Sequence, residues 1–597
     1  MSSEADAFIE ISWEVCNKVG GIYTVLMSKA NQIAKKYGEN YYVIGPYFHE
    51  KAVGEFEEDI APNGLKGMFD KLKQQGITCH FGKWLIKGEP KAILIDFSGF
   101  NQEGNTIKGD HWDKFKIDSL NAPGDYTEPV VWGTAAGILV EQMLDDVFKG
   151  KKVVCQFHEW LAGSALLYLK SKNAKVGKVF TTHATMLGRS MAGGNFDIYG
   201  NLDKIDADKE AYNYGAAAKH QMEKACANNA DVFTTVSEIT GMEAQHLLGR
   251  KPDVLLPNGL DMETFPSFEE SSIRHKNFKY RIKEFILYNF FPYQDFNLDE
   301  TLIYFTLARY EFQNKGLDVY IDALGKLNEQ MKKEKSDKTV VAFFFIPSGI
   351  KGIKSDLIEN KRYYEDVKES VDAEIDSLHS AVTYSLISKK TLTKENLFTE
   401  SFLTETKKKL LKFHKPGKNP SIATHDLSDE QGDQILRALS ENGLHNKTED
   451  RVKVVYYPTY LTGADGLLDL AYYETITGAH LGVFPSYYEP WGYTPLEAAA
   501  LGVASVTTDL SGFGKFICGE CAQIENPGVY VLERLNKSYD DIVQGLYNIL
   551  YHYASLTKDG RIENKIEAHR VAELADWKKL IKNYFEAHSL AATKIFG

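Results

Sequence analysis

Gly482-Val483-Phe484-Pro485-Ser486-Tyr487-Tyr488-Glu489-Pro490-Trp491-Gly492-Tyr493-Thr494-Pro495-Leu496-Glu497 holds two carboxylates eight residues apart. Gly482-Val483-Phe484 reads as the end of a buried strand. Thr494-Pro495-Leu496-Glu497 reads as a helix N-terminus, with Thr494 as cap, Pro495 in the first position and Glu497 closing a capping box. A strand, a glycine-bearing loop and a helix start together leave backbone N–H groups free to hold a phosphate. A carboxylate beside such a cradle suits the handling of a nucleotide-activated sugar.

The same alternation of strand-like and amphipathic helical runs extends outward along the chain, the pattern of a parallel sheet covered on both faces. Upstream, Phe8–Trp13, Tyr41–Gly45, Ala92–Asp96, Lys152–Gln156, Lys178–Thr182 and Asp231–Val236 read as strands. Tyr23–Tyr37 reads as a helix and Leu255–Asp261 as a closing turn. A second set runs through Thr301–Leu307, Val340–Ile346, Val454–Tyr457 and Leu481–Phe484. The 597 residues exceed what one core can organise. The expected fold is therefore α/β, with two Rossmann-like domains, residues 1–265 and 266–574, facing an interdomain cleft. A C-terminal helix, 575–597, is expected to return and complete the first domain. A helical insertion spans about 352–450, where Tyr364, Val367, Val371, Ile375, Leu378 and Val382 make a narrow apolar seam on one long helix. That seam suits packing on its own domain or a bundle between subunits.

A net charge of −13 argues against nucleic acid and anionic membrane as partners. No apolar run approaches the ~18 residues of a membrane span, and Met1–Asp6 lacks signal-peptide character. Cys518 and Cys521 form a lone C-x-x-C, a weak zinc or redox signal; reduced cysteines in a cytoplasmic enzyme are the better reading. No strand is followed by Gly-x-Gly-x-x-Gly, which disfavours a nucleotide-dependent oxidoreductase.

Several loops at predicted strand ends carry candidate chemistry. Lys18, Gly20 and Gly21 follow the first strand; they can be a plain turn, or an amide cradle with an adjacent cation. Arg309 and Lys315, six apart after the first strand of the second domain, can be solvated cations or can converge on one anion. Glu497 can simply cap its helix, whereas Glu489 lies too early for capping and can offset positive charge in an oxocarbenium-like transition state. His183 and Asn258 have ordinary structural readings, as a strand-end hydrogen bonder and a turn residue.

The stretch Phe484–Gly514, ending Thr507-Thr508-Asp509-Leu510-Ser511-Gly512-Phe513-Gly514, resembles the signature of the animal and fungal glycogen synthases. Similarity recurs from about Glu10 to the C-terminus. The resemblance implies the GT-B fold and a retaining glucosyltransferase that moves glucose from UDP-glucose to the non-reducing 4-OH end of an α-1,4-glucan. It implies no metal or other cofactor, and assembly as a homotetramer or other homo-oligomer. By resemblance, Lys18, Gly20 and Gly21 belong to the donor site, and Arg309 and Lys315 grip the diphosphate. Backbone amides of Tyr493 and Thr494 hold the leaving phosphate, Glu497 binds the ribose and Tyr472 stacks on uracil. Asn258 and His183 lie near the donor sugar, Arg189 contacts phosphate or acceptor, and His158-Glu159-Trp160 walls the acceptor site. Glu489 acts without a covalent enzyme intermediate.

One region departs from the family. The helix expected to sense glucose 6-phosphate keeps cations at Arg561, Lys565 and Arg570, but Glu567 replaces an arginine. The sequence also stops at Gly597, with no long phosphorylated tail expected. Weak or absent glucose 6-phosphate activation is the resulting expectation. The rivals are a transferase with another acceptor, which would call for more cations in the N-terminal cleft, and a catalytically silent glucan- or nucleotide-binding scaffold. The sequence leaves UDP against ADP open.

Overall fold

The computed structural model describes residues 4–521 and 524–597; the side chains of Glu520 and Cys521 lie outside the described residues, so the Cys518–Cys521 pair does too. Among the described residues the main strands form two separate sheets. In the first, the spatial order is Phe56–Glu58, Thr78–Trp84, Lys91–Asp96, Tyr41–Pro46, Ala7–Ile11, Val153–His158, Gly177–Thr182, Val232–Thr235, Val254–Leu255. From Lys91–Asp96 onward every pairing is parallel; the other two strands are an antiparallel edge. Ala7–Ile11, Tyr41–Pro46, Val153–His158 and Gly177–Thr182 are buried at every position, as befits strands with helices on both faces.

The second sheet is wholly parallel, in the order Val452–Tyr457, Thr339–Phe345, Thr301–Leu307, Leu481–Val483, Ala504–Thr508, Val529–Leu532. In each sheet the chain reverses its direction of growth beside the first strand. The first reversal lies between Ala7–Ile11 and Val153–His158, the second between Thr301–Leu307 and Leu481–Val483. Such reversals open a crevice at the carboxyl ends of the strands. The loops predicted to carry chemistry leave at those points.

The last helix, Trp577–Phe596, packs against helix Gly21–Tyr37 and the first sheet. Its chain crosses over at Leu260, whose N–H donates to Ala575 O (2.9 Å) and whose carbonyl accepts from Trp577 N (3.0 Å). Gly259 is needed there, because a Cβ would sit 2.8 Å from Ala575 O. Across the interface Trp577 Nε1 donates to Ser28 Oγ at 2.7 Å and His588 pairs with Tyr37 at 3.0 Å.

Two local expectations are corrected. The seam does not lie on one helix: Ser355–Ala373 and Ile375–Ile387 are separate, broken at Glu374 (φ −97°, ψ 1°). The insertion is closed by the antiparallel pair Ile350–Ile353 and His425–Leu427, which the alternation did not show. The helix after Glu489 begins earlier than Thr494. It spans Tyr493–Ala500 behind Gly492, whose φ of +104° starts the turn without any side-chain cap. Thr494 is thus already inside the helix, and no capping box forms.

Candidate active site

One wall of the cleft is built from two C-terminal loops. Gly316 (φ +64°) starts helix Leu317–Lys333 and lies so close to Pro485 that a Cβ would run into its carbonyl oxygen. The loops are joined there: Tyr487 N donates to Asn314 O at 2.9 Å, and the Arg534 guanidinium bonds Pro485 O. This brings Lys315 Nζ to 2.6 Å from Glu489 Oε2, with side chains 14% and 25% exposed. Arg309, 72% exposed, pairs with Glu311 at 2.9 Å. Arg309, Lys315, Glu489 and Arg189 line one cavity of about 720 Å³. Below it, Gly512 N donates to Glu489 O at 3.0 Å, Ser511 Oγ to Trp491 O at 2.7 Å and Thr508 Oγ1 to Ser486 O at 2.8 Å. The Thr507–Gly514 stretch therefore acts as the floor that fixes the Glu489 loop.

The other wall comes from the first sheet, and its polar groups are buried. Glu10, inside the apolar strand Ala7–Ile11, pairs with the Lys29 ammonium and accepts from Tyr41 OH at 2.7 Å and His158 Nε2 at 2.8 Å. Burial alone would raise the Glu10 carboxyl, but Lys29 and His158 hold it well below the usual carboxylate range. His158 Nδ1 lies 2.9 Å from His183 Nε2. Burial pushes both imidazoles down, so both are neutral near pH 7. Since Glu10 accepts from His158 Nε2–H, the bare His158 Nδ1 must accept from His183 Nε2–H, and the His183 tautomer is fixed.

Two carboxylates stand beside this chain. Glu14 Oε2 accepts from Gly20 N (2.7 Å) and Tyr23 N (2.9 Å), so the amides of the Lys18–Gly21 loop expected to cradle a donor phosphate already hold a carboxylate. Burial pushes the Glu14 carboxyl up, against those bonds. Glu159 accepts from His183 N at 2.8 Å and Ala184 N at 3.0 Å, and burial pushes it up to about 7. Arg189 stands between the walls: against the desolvation of the cleft, Tyr488, Glu159, Glu311 and Glu223 raise it above its ordinary value.

Other predicted residues lie outside the cavity. Tyr472 and Tyr473 donate to Glu497 at 2.7 and 2.9 Å, so Glu497 is taken up by two phenols rather than by Thr494. Asn258 is buried at the chain crossing, and its Oδ1 has no hydrogen-bond partner among the described residues. Tyr493 is the first residue of its helix, and its hydroxyl too is buried without a partner among them. Glu10, Glu14, Glu223 and Glu243 escaped the sequence reading. For Glu10 the available signal was a charge amid Phe8-Ile9 and Ile11. No group of three or more His, Cys, Asp or Glu is placed to hold a metal among the described residues.

A separate cationic cluster joins helix Lys558–Leu574 to helix Phe268–Phe290. Desolvation, then Lys279 and Arg561, push Lys565 down to about 7. Desolvation, then Lys565 and Lys279, push His275 down to about 3. Arg570 Nε instead bonds Glu567 Oε2 at 2.7 Å. Reading one helix alone missed Lys279 and His275.

Comparison with known proteins agrees with this architecture. The family model for glycogen synthase matches residues 10–597. The mouse liver glycogen [starch] synthase is 36% identical over 588 residues, 98% of this chain and 83% of that protein. The Neurospora crassa enzyme is 36% identical over 598 residues, 98% and 84% of the two chains. Among solved structures, the catalytic domain of Arabidopsis thaliana starch synthase IV, bound to ADP and acarbose, superposes with a TM-score of 0.50 at 11% identity, covering 99% of this chain and 100% of that one. The fold is GT-B and the protein is a glycosyltransferase; this chain belongs to the glycogen synthase family.

Proposed function

We propose that the chain transfers glucose from UDP-glucose to the non-reducing end of an α-1,4-glucan, with retention and without a metal. The observation that carries this reading is the convergence of Lys315, Arg309 and Arg189 on the cavity that contains Glu489. Those cations take up charge on the departing diphosphate, a role worth several kcal/mol in comparable oxyanion sites. In the structure Glu489 holds Lys315. A bound diphosphate would compete for the lysine and free the carboxylate to face the sugar. His183, its tautomer set through His158, lies near the reacting carbon of the donor sugar, and the buried Glu159 belongs to the acceptor wall. Both accept hydrogen bonds from sugar hydroxyls. Tyr472 and Glu497 make the nucleoside end, where Glu497 exchanges its phenol partners for ribose hydroxyls.

The test is glucose incorporation into glycogen from UDP- or ADP-glucose, with and without chelator. UDP-glucose is expected to be preferred, with rates unchanged by chelator. A rate that collapses with chelator and returns with a divalent ion would replace the cation mechanism.

Three finer features belong to the same proposal. The cluster at Lys279, Arg561 and Lys565 is the place for a phosphate ester, and with Lys565 pushed down to about 7 the expectation of weak glucose 6-phosphate activation stands. Ile375, Tyr384, Leu386 and Ile387 are exposed around the second helix of the insertion, apolar surface suited to a homo-oligomer. The compartment proposed is the cytoplasm; among the described residues no helix is long and apolar enough to cross a membrane.

A further inference from the structure

Glu243, on helix Glu238–Leu247 of the first half, is 1% exposed and belongs to none of the sequence motifs described above. Its carboxylate gathers three hydroxyls. Thr185 Oγ1 donates to Oε2 at 2.6 Å, Tyr199 OH to Oε1 at 2.8 Å and Tyr488 OH to Oε2 at 3.1 Å. Each donor belongs to a different working part. Thr185 caps helix Met186–Gly193, which carries Arg189; Tyr199 sits on the loop after that helix; Tyr488 immediately precedes Glu489 and comes from the second half of the molecule.

The Tyr488 ring is 6% exposed, packed in an apolar cluster with Leu187, Met191, Ile198 and Leu247 of the first half. Tyr487 reaches across as well, at the rim. Its hydroxyl donates to Asp197 Oδ1 at 2.9 Å and accepts from Tyr199 N at 3.3 Å. Nearby, Gly512 admits the close approach of the two halves, since a Cβ there would lie 2.7 Å from Ser237 Cβ.

We propose that Glu243 and Tyr488 form an interdomain latch that positions Glu489 opposite Arg189, making both of them positioning residues for glucosyl transfer. This rests on the reading that Glu489 serves the reaction in the cleft. The latch acts through one carboxylate that holds Tyr488 and the cap of the Arg189 helix at the same time. A Tyr488 hydroxyl detached from Glu243 would leave the Glu489 loop held to the first half only by the apolar seat of its ring and by Tyr487 at the rim. A hydrogen bond to a buried charged group is a strong one, and its loss beside the cleft is felt as misplacement of groups that must meet.

The experiment compares Tyr488→Phe, Tyr487→Phe, Glu243→Gln and Glu489→Ala in the full chain. Measured are kcat, KM for donor and for glucan, thermal midpoint, and small-angle scattering with and without UDP. Tyr488→Phe keeps the ring in its apolar seat, so its thermal midpoint should stay close to that of the parent while kcat falls about tenfold. Its scattering envelope should stay more open when UDP is present. Glu243→Gln should behave likewise, the double variant should lose no more than either alone, and Tyr487→Phe should show a smaller effect. Parental kcat and scattering in Tyr488→Phe would overturn the latch, as would a rate loss that tracks only the loss of folded protein. Glu489→Ala separates the two claims. A dead Glu489→Ala beside a fully active Tyr488→Phe removes the latch and keeps the cleft reading; an active Glu489→Ala removes the cleft reading itself.

Discussion

Arg189 on the first wall and Glu489 on the second apart, the two walls of the cleft carry opposite kinds of charge. The first half buries carboxylates, Glu10, Glu14, Glu159, Glu223 and Glu243, each already held by amides, hydroxyls or an ammonium. The second half presents cations, Arg309 and Lys315 at the cleft and Lys279, Arg561 and Lys565 behind it. A buried carboxylate that accepts hydrogen bonds is prepared for a neutral polyol, whose hydroxyls donate. Cations on loops, as Arg309 and Lys315 are, are prepared for anions that arrive and leave. The division matches a reaction that joins a neutral glucan to an anionic nucleotide sugar, and it implies a rigid first wall and an adjustable second one.

That contrast can be broken most forcefully at Lys29. Both members of the Lys29–Glu10 pair are fully buried. Removing one charge from a buried pair typically destabilises by about 3–5 kcal/mol. Lys29→Met should therefore lower denaturant stability by about that much, whereas Lys315→Met, in a solvent-reached cleft and partly exposed, should change it less, by about 1 kcal/mol. Equal losses would mean the two walls are not built differently. Next in size is Glu489→Ala, expected to slow turnover at least roughly a hundredfold, the scale of one transition-state contact, with donor KM little changed. Near-normal turnover would move the chemistry away from the second wall. Arg309→Ala should cost about tenfold in kcat/KM for the nucleotide sugar and leave KM for glucan alone; a change confined to glucan would reverse the assignment of the walls.

The sequence showed the second wall better than the first. Strand-to-loop transitions at Thr301–Leu307 and Leu481–Val483 are local, so Arg309, Lys315 and Glu489 could be located by counting from strand ends, and these three do line one cavity. The helix start after Glu489 was misplaced because Thr494 and Glu497 imitate a capping box; the positive φ of Gly492, which no spacing encodes, begins the helix instead. The first wall depends on long-range partners. His158 meets Glu10 across 148 residues and Tyr488 meets Glu243 across 245, and no local pattern announces such pairs. The strands Ala504–Thr508 and Val529–Leu532 extend the second sheet beyond the runs that the alternation had picked out.

The smallest expected effect tests whether the cations behind the cleft also await an anion. Lys565 is held at about 7, below the ordinary lysine value, by desolvation and by Lys279 and Arg561. Between about 7 and the unfolded value the unfolded chain binds the extra proton, so this group makes stability rise with pH in that window; below 7 its unfavourable share is present in full. An anion reverses the balance by favouring the ammonium, and binding should take up a proton. Sulfate is the useful probe because its own charge does not change from pH 6 to 9. It should raise the thermal midpoint more at pH 6.5 than at pH 8.5, and Lys565→Met should erase that difference while itself stabilising the sulfate-free protein at pH 6.5 through relief of desolvation and like-charge repulsion. An equal sulfate shift at both pH values would show that the crowded cations are merely structural, and would confine anion recognition in the second half to Arg309 and Lys315.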